Sequence, residues 1–345
     1  MSKKKIILLL SAIIIVLAAI IAYNFFNKIY KSNTKDNGFI YLKTNSDFND
    51  LTTAITPFLN NINSFKWVAK KKKFQTPKPG KYEIKQNMSN NDLINLLRSG
   101  KQSPIKLAFN NQGTLENLAG RIATQIEADS LQLIKAFTDK NFLSKINFTE
   151  NQSLGIYIPN SYELYWNTPA EKFRDRMYKE YQNFWNKERL QKAKAQNLTP
   201  KQVMTIASIV HKETAKNDER PIVAGLYLNR YKDKWPLQAD PTIIFAMKQK
   251  YGQDFEMRRV LFKNINDVKD SPYNTYKSKE LPPSLIAMPD ISAIDAVLNP
   301  KNHDYYFMCA SVSKIGYHEF AKTLAQHNLN RRKFIAKKNK QGIRQ

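Results

Sequence analysis

Cysteine is almost absent from this 345-residue chain. Cys309 stands alone, which excludes an intrachain disulfide. Histidine is nearly as scarce: His211, His303, His318 and His327 fall into no metal-ligand spacing, and with a single cysteine no metal site is expected. Only 10 glycines are present, and none builds a phosphate-cradling loop, so no cofactor is expected either. Acidic residues are outnumbered 29 to 55 by lysine and arginine, giving a net charge of +26. In a cytosolic protein that balance would suggest nucleic acid. Here the lysines are spread along the chain, and the dense runs 70–73 and 331–340 lack the repeated aromatic interleaving of a base-stacking surface. No nucleic-acid partner is expected. A basic exterior suits either an anionic bilayer and an anionic polymer beside it, or simple solvation.

One long apolar run is present. Residues Ile6 to Phe26 are interrupted only by Ser11, Tyr23 and Asn24, and about twenty apolar residues span a bilayer core. Lys3 to Lys5 would also serve a cleaved signal peptide, but the run is too long for one and no small-residue cleavage pattern follows it. The reading is an uncleaved single-pass anchor over 6–26. Residues 1–5 are then cytoplasmic, although Lys28, Lys31 and Lys35 lie beyond the other end.

Lys28 to Asn37 reads as a short linker. Beyond it GFIYLK, WVAKKKKF and GKYEIK read as strands, with a helix after Asp47 and another over 90–100, capped by Asn90 or Asn91 and stopped by Gly100. SPIKLAFN (103–110) leads into a second region with helices at 114–126 and 130–138, and 171–196 reads as one long amphipathic helix. Strands and helices in mixed order predict an α+β fold.

The most informative stretch is TIASIVHKET, Thr205 to Thr214. Thr199 before Pro200 supplies an N-cap and a first-turn proline. At about 100° per residue, Ile206, Ile209 and Val210 share a face with Glu213, whereas His211 and Lys212 point elsewhere. A carboxyl against aliphatic side chains is desolvated when charged, so its pKa rises and it can hold a proton near neutrality, as a general acid must. The plainer alternative is a glutamate at the stripe's edge, reaching water or pairing with Lys212 or Lys216.

Further blocks follow: Asn229–Arg230, LQADPT (237–242), YNTY (273–276), LPPSLIAMP (281–289) and His318 to His327. Together with Ala207 to Glu213 they resemble the catalytic domain of the endolytic murein transglycosylases, the YceG-like family. The segments PGKYEIKQNMS (79–89) and YIPNSYELYWNT (157–168) extend the resemblance to nearly everything beyond the first forty residues. His211 stands where many relatives have a first glutamate, Glu280 where several have glycine, and LGIYIPNSY lacks the acidic positions around Pro159. The resemblance implies an anchor at 6–26, a LysM-like module at 38–104, a catalytic domain at 105–336 and a basic tail at 337–345. It also places that domain on the extracytoplasmic side of the cell membrane, with peptidoglycan as substrate and the cell-wall synthesis machinery as a further candidate partner.

In such an enzyme Glu213 protonates the leaving oxygen of the N-acetylmuramic acid–N-acetylglucosamine β-1,4 bond. It then takes the proton of the muramoyl 6-hydroxyl, which attacks the anomeric carbon and closes a 1,6-anhydro ring. The resemblance implies Gln238 as a partner for an acetamido group, Tyr273 and Asn274 for sugar hydroxyls or developing charge, and Asn229 and Arg230 for organising the cleft. Arg230 would equally pair with Glu219 or Asp233. Asp240 is either the N-cap of a helix at TIIFAM or the second carboxylate of an ordinary hydrolase. The competing functions are that hydrolase and a non-catalytic glycan-binding scaffold.

Overall fold

The computed structural model describes residues 2–257 and 259–340. Of the expected basic tail, residues 341–345 lie outside them, as does Met1 of the expected cytoplasmic end. The chain divides into two compact units: 1–107 with 125–128 and 162–169, and the remainder.

Unit 1 begins with α1 (Lys3–Tyr30), which bears no buried residue and is long and apolar enough to cross a membrane. Strands β1 (Gly38–Leu42) and β2 (Gly80–Ile84) pair antiparallel, Gly38 opposite Ile84 and Leu42 opposite Gly80. Their alternate residues Ile40, Leu42, Tyr82 and Ile84 face the core. Helices α2 (Phe48–Ile55), α3 (Ile62–Lys71) and α4 (Asn90–Ser99) cover them with Leu51 and Ile55, Phe65 and Val68, and Leu93 and Leu97. Each is the i, i+3 or i, i+4 pair of an amphipathic helix. Asp47 and Ser89 close capping boxes at α2 and α4, and Asn61 caps α3. The cap of α4 is thus Ser89 rather than Asn90 or Asn91, and Gly100 ends that helix in the left-handed region at φ 73°. WVAKKKKF is not a strand: Trp67 to Lys71 complete α3, because Phe65, Val68 and Ala69 fall on one helical face, and Lys72 caps its end.

The segment after α1 is not a free linker. Asn33 and Thr34 are buried. The Asn33 amide donates to Asn90 Oδ1 (2.7 Å) and Asn61 O (2.9 Å), and the Asn90 amide donates to Lys28 O (2.8 Å) and Ser64 Oγ (3.0 Å). Lys28 O is one of the last four carbonyls of α1, which the helix itself cannot satisfy. Buried amides therefore lock the end of α1 into unit 1.

Two of the boundaries between the units fall within β3 (Ile105–Phe109) and β4 (Asn160–Leu164). Unit 2 contains α5 (Leu115–Ala123), α6 (Ser130–Phe137), α7 (Lys140–Lys145), α8 (Ala170–Phe184) and α9 (Lys187–Ala195). The expected single helix over 171–196 is broken at Trp185–Asn186, since the Asn186 side chain accepts from Arg189 N and starts α9. Phe137, Tyr157 and Phe173 cluster with ring centroids 4.6–6.5 Å apart. Next come α10 (Pro200–Glu213), α11 (Arg220–Lys232), α12 (Asp240–Tyr251), α13 (Phe262–Asp267) and α14 (Ile291–Leu298). Strands β5 (Phe307–Ala310) and β6 (His318–Ala321) then form an antiparallel hairpin before α15 (Leu324–Lys340). Helix α10 is the hub, packing on α11, α12 and α14 with every residue from Val203 to Val210 buried. Short paired strands among many helices make the fold mixed α+β.

Candidate active site

Helix α10 is set by its first turn. Thr199 accepts from Gln202 N, the Gln202 side chain returns to Thr199 N, and Pro200 follows the cap. Ser208 is fully buried within the stretch from Val203 to Val210. It donates to Thr205 O (2.7 Å) and accepts from Ile286 N (3.0 Å), tying the LPPSLIAMP loop to the helix. The helix stops at Glu213, where Thr214 turns extended at φ −139°.

Glu213 is half-buried at that helix end. Burial, the largest influence on its carboxyl, raises the pKa to about 6. Asp240 adds in the same direction, while His318, a bond from Tyr227 and Arg230 act against it. Tyr227 on α11, 1 % exposed, donates its hydroxyl to Glu213 Oε2 at 3.1 Å. One oxygen is thereby held, and no hydrogen bond among the described residues reaches Oε1.

Helix α11 also fixes the segment leading to β5. A side chain at Gly225 would meet Lys301 O at 2.6 Å and His303 Nε2 at 2.7 Å, so only glycine allows the approach. Asn229 donates its amide to His303 O (2.8 Å) and Tyr305 O (3.2 Å). Arg230 pairs with neither Glu219 nor Asp233; its guanidinium donates to Tyr306 O and Leu237 O.

The LQADPT and YNTY blocks are latched by Thr275. Its carbonyl accepts from Gln238 N (2.9 Å), and its hydroxyl accepts from Ala239 N (3.0 Å) and bonds the Thr242 hydroxyl (2.8 Å). Gln238 sits in the left-handed region at φ 50° with its side chain exposed. Asp240 is not a helix cap: Ala239 holds that position without a side-chain bond, and Asp240 falls in the first turn. Its Oδ1 accepts from Tyr276 Oη at 2.5 Å, and burial raises its pKa, against the Tyr276 bond and Arg259.

Tyr273 and Asn274 are committed inward. Tyr273, 3 % exposed, bonds Ser284 Oγ at 2.7 Å, and the fully buried Asn274 amide donates to Ile265 O and Val268 O. Neither side chain meets the solvent a sugar would displace; both frame the loop. His211 likewise faces away from Glu213, bonding Asn111 and lying 3.3 Å from Asp290. Burial opposes the charge on Asp290, yet bonds from His211, Arg220 and Ala293 N–H outweigh it and hold its carboxyl well below the usual range.

A cavity of about 420 Å³ opens on Glu213, walled by Ser311, Gly316, Tyr317, His318 and Phe334. His318 is fixed there by the buried Glu219, which accepts from its backbone N–H (2.6 Å) and meets its Nδ1 (2.9 Å). Tyr227, Tyr276 and His318 are the groups around the two carboxylates to which no role was assigned from sequence. Tyr276 and His318 lie in blocks already singled out, whereas Tyr227 carried no signal beyond its place in a buried helix. Among the described residues no three His, Cys, Asp or Glu side chains converge as a metal site would require.

Comparison with known proteins bears out the family resemblance. The model of the YceG-like family matches residues 40–333. An endolytic murein transglycosylase of Bacillus subtilis is 28 % identical over 295 residues, covering 80 % of this chain and 78 % of that protein. One of Streptococcus pneumoniae is 27 % identical over 297 residues, 77 % of this chain but only 52 % of that longer protein. A crystal structure of a yceG-like protein from Listeria monocytogenes superposes with a TM-score of 0.56 at 26 % identity, covering 86 % of this chain and 99 % of that one.

Proposed function

The chain belongs to the YceG-like family, and from that membership and the groups gathered on Glu213 we propose that it is an endolytic peptidoglycan lytic transglycosylase, a lyase anchored in the cell membrane by α1 with its catalytic part outside. The observation that carries the reading is Glu213 itself: a carboxyl with its pKa raised to about 6 by burial, oriented by Tyr227, at the edge of a cavity of about 420 Å³. With a pKa of about 6, roughly one molecule in ten keeps the proton at pH 7 and about half at pH 6, which supplies the protonated form a general acid requires.

Glu213 donates its proton to the glycosidic oxygen as the bond to the anomeric carbon of N-acetylmuramic acid breaks. The resulting carboxylate accepts the proton of the 6-hydroxyl, whose oxygen bonds that carbon. The product is a 1,6-anhydro end, the acid is regenerated and no water is consumed. Tethering of the nucleophile supplies the entropic advantage of an intramolecular reaction. Gln238, exposed beside Asp240, suits contact with an acetamido group, and Asp240 with Tyr276 offers a polar edge to the sugars. Asn229, Tyr273 and Asn274 act through the frame that holds these groups. Residues 38–104 serve as the LysM-like glycan-binding module of this reading.

The raised pKa values of both Glu213 and Asp240 favour one competing reading, a hydrolase with two carboxylates. Mass spectrometry of digested peptidoglycan separates the two. Anhydro-muramoyl ends are expected, and reducing ends in their place would overturn the transglycosylase.

A further inference from the structure

The outward face of α3 sets an aromatic among lysines. Phe65, Val68 and Ala69 point into the core, and at 100° per residue Trp67 lies on the opposite side of the helix. Lys66, Lys70 and Lys71, all exposed, flank it. Trp67 meets the last turns of α1: its ring lies 4.9 Å from that of Phe25, and Lys28 Nζ stands 5.1 Å and Lys71 Nζ 5.7 Å from its centroid.

The depth of this cluster follows from α1. At about 1.5 Å per residue the apolar run Ile6 to Phe26 measures about 30 Å, the thickness of the hydrocarbon core. Phe25 therefore lies at the outer edge of that core, and Trp67, packed on it, sits at the interface where tryptophan is favoured. Tyr30 and Phe26 pack ring to ring at the same level, 4.9 Å apart. Asn33 and Asn90 tie the end of α1 to the start of α3, through Asn61 O and Ser64 Oγ.

We propose that this face, Lys66, Trp67, Lys70 and Lys71 with Lys28 and Lys31 of the α1 end, is a docking surface for anionic phospholipid headgroups, seating unit 1 on the bilayer. The occupant is argued from charge and depth: lysines around an interfacial tryptophan, held level with the phosphates by a rigid anchor. The proposal rests on α1 spanning the membrane, and its test keeps the two apart.

The full chain is placed in nanodiscs of phosphatidylcholine alone or mixed with phosphatidylglycerol, and amine acylation is followed lysine by lysine by mass spectrometry, with Lys179 of unit 2 as reference. Acylation of Lys66, Lys70 and Lys71 should be about fivefold slower with the anionic lipid, Lys179 unchanged. Equal rates in both discs, with the protein resisting alkaline carbonate extraction from membranes, would overturn the surface while leaving the anchor intact. Release by carbonate would overturn both. Protection that appears only on adding soluble glycan fragments would assign the face to the wall polymer and likewise overturn the proposal. As a second measurement, Trp67→Phe should remove part of the tryptophan quenching by lipids brominated near the headgroup end of their chains; unchanged quenching counts against the depth assigned to Trp67.

Discussion

Tyr227 Oη donates to Glu213 Oε2 across 3.1 Å from a neighbouring helix, and that bond favours the carboxylate against the burial that opposes it. The tyrosine thus orients the carboxyl and, with His318 and Arg230, limits how far burial raises its pKa. In Tyr227→Phe one of the three opposing influences is gone, so the pKa of Glu213 should rise above 6 and the alkaline limb of the kcat/KM profile should move upward with it. The rate at low pH should fall roughly tenfold as the carboxyl loses its fixed rotamer. A profile that keeps its limb in place would separate Tyr227 from the acid.

Thr275 joins two blocks that lie more than thirty residues apart in sequence, bonding Ala239 N and the Thr242 hydroxyl. Thr275→Val keeps the shape and strands a buried N–H. The cost should be about 1–3 kcal/mol in denaturant unfolding, with a further loss of activity as Gln238 and Asp240 lose their seat. Asp240→Asn tests the carboxylate alone. Under the transglycosylase reading its effect on kcat is mild, because no water needs activating; a loss as deep as that of Glu213→Gln would favour the hydrolase.

How far the sequence showed this site depends on the range of the contacts. Helix α10 was legible because its signals are local: a cap, a proline and an apolar stripe within fourteen residues. The strand expected at WVAKKKKF failed because reading from Trp67 onward omitted Asn61 and Phe65, the cap and the first core contact of α3. The long helix over 171–196 hid a break because Asn186 is tolerable in a polar helix until its side chain is seen to cap. Asp240 before Pro241 has the local pattern of a cap, but its carboxylate is taken by Tyr276, 36 residues away. His318 meets Glu219 across 99 residues, and periodicity within one element carries no trace of that pairing.

Gly225 offers a test of the frame independent of chemistry. In Gly225→Ala the new methyl would sit 2.6 Å from Lys301 O, a backbone atom with nowhere to retreat while Lys301 N stays bonded to Pro221 O at 3.0 Å. The α11 contact should open and stability should drop by roughly 1–3 kcal/mol. Full wild-type stability, measured by chemical denaturation, would show that the segment 301–306 is not pinned as described.

The last prediction concerns Glu213 in both its roles. Glu213→Gln keeps the shape and removes the transferable proton, so glycan cleavage should fall by roughly 10² to 10⁴ while the fold survives. Stability should change in the opposite sense and with a defined pH window. The folded pKa of about 6 lies above the ordinary value of 4.5, so between those values the native state binds more protons than the unfolded chain. The native wild type is therefore penalised as pH rises through that window. Glutamine does not titrate. The variant should gain about 1–2 kcal/mol relative to wild type on going from pH 4 to pH 7.5, the difference developing between 4.5 and 6. Denaturant midpoints at the two pH values measure it. A pH-independent difference would mean that Glu213 is not desolvated, and a folded variant that still releases anhydro-muramoyl ends at the wild-type rate would remove it from the mechanism.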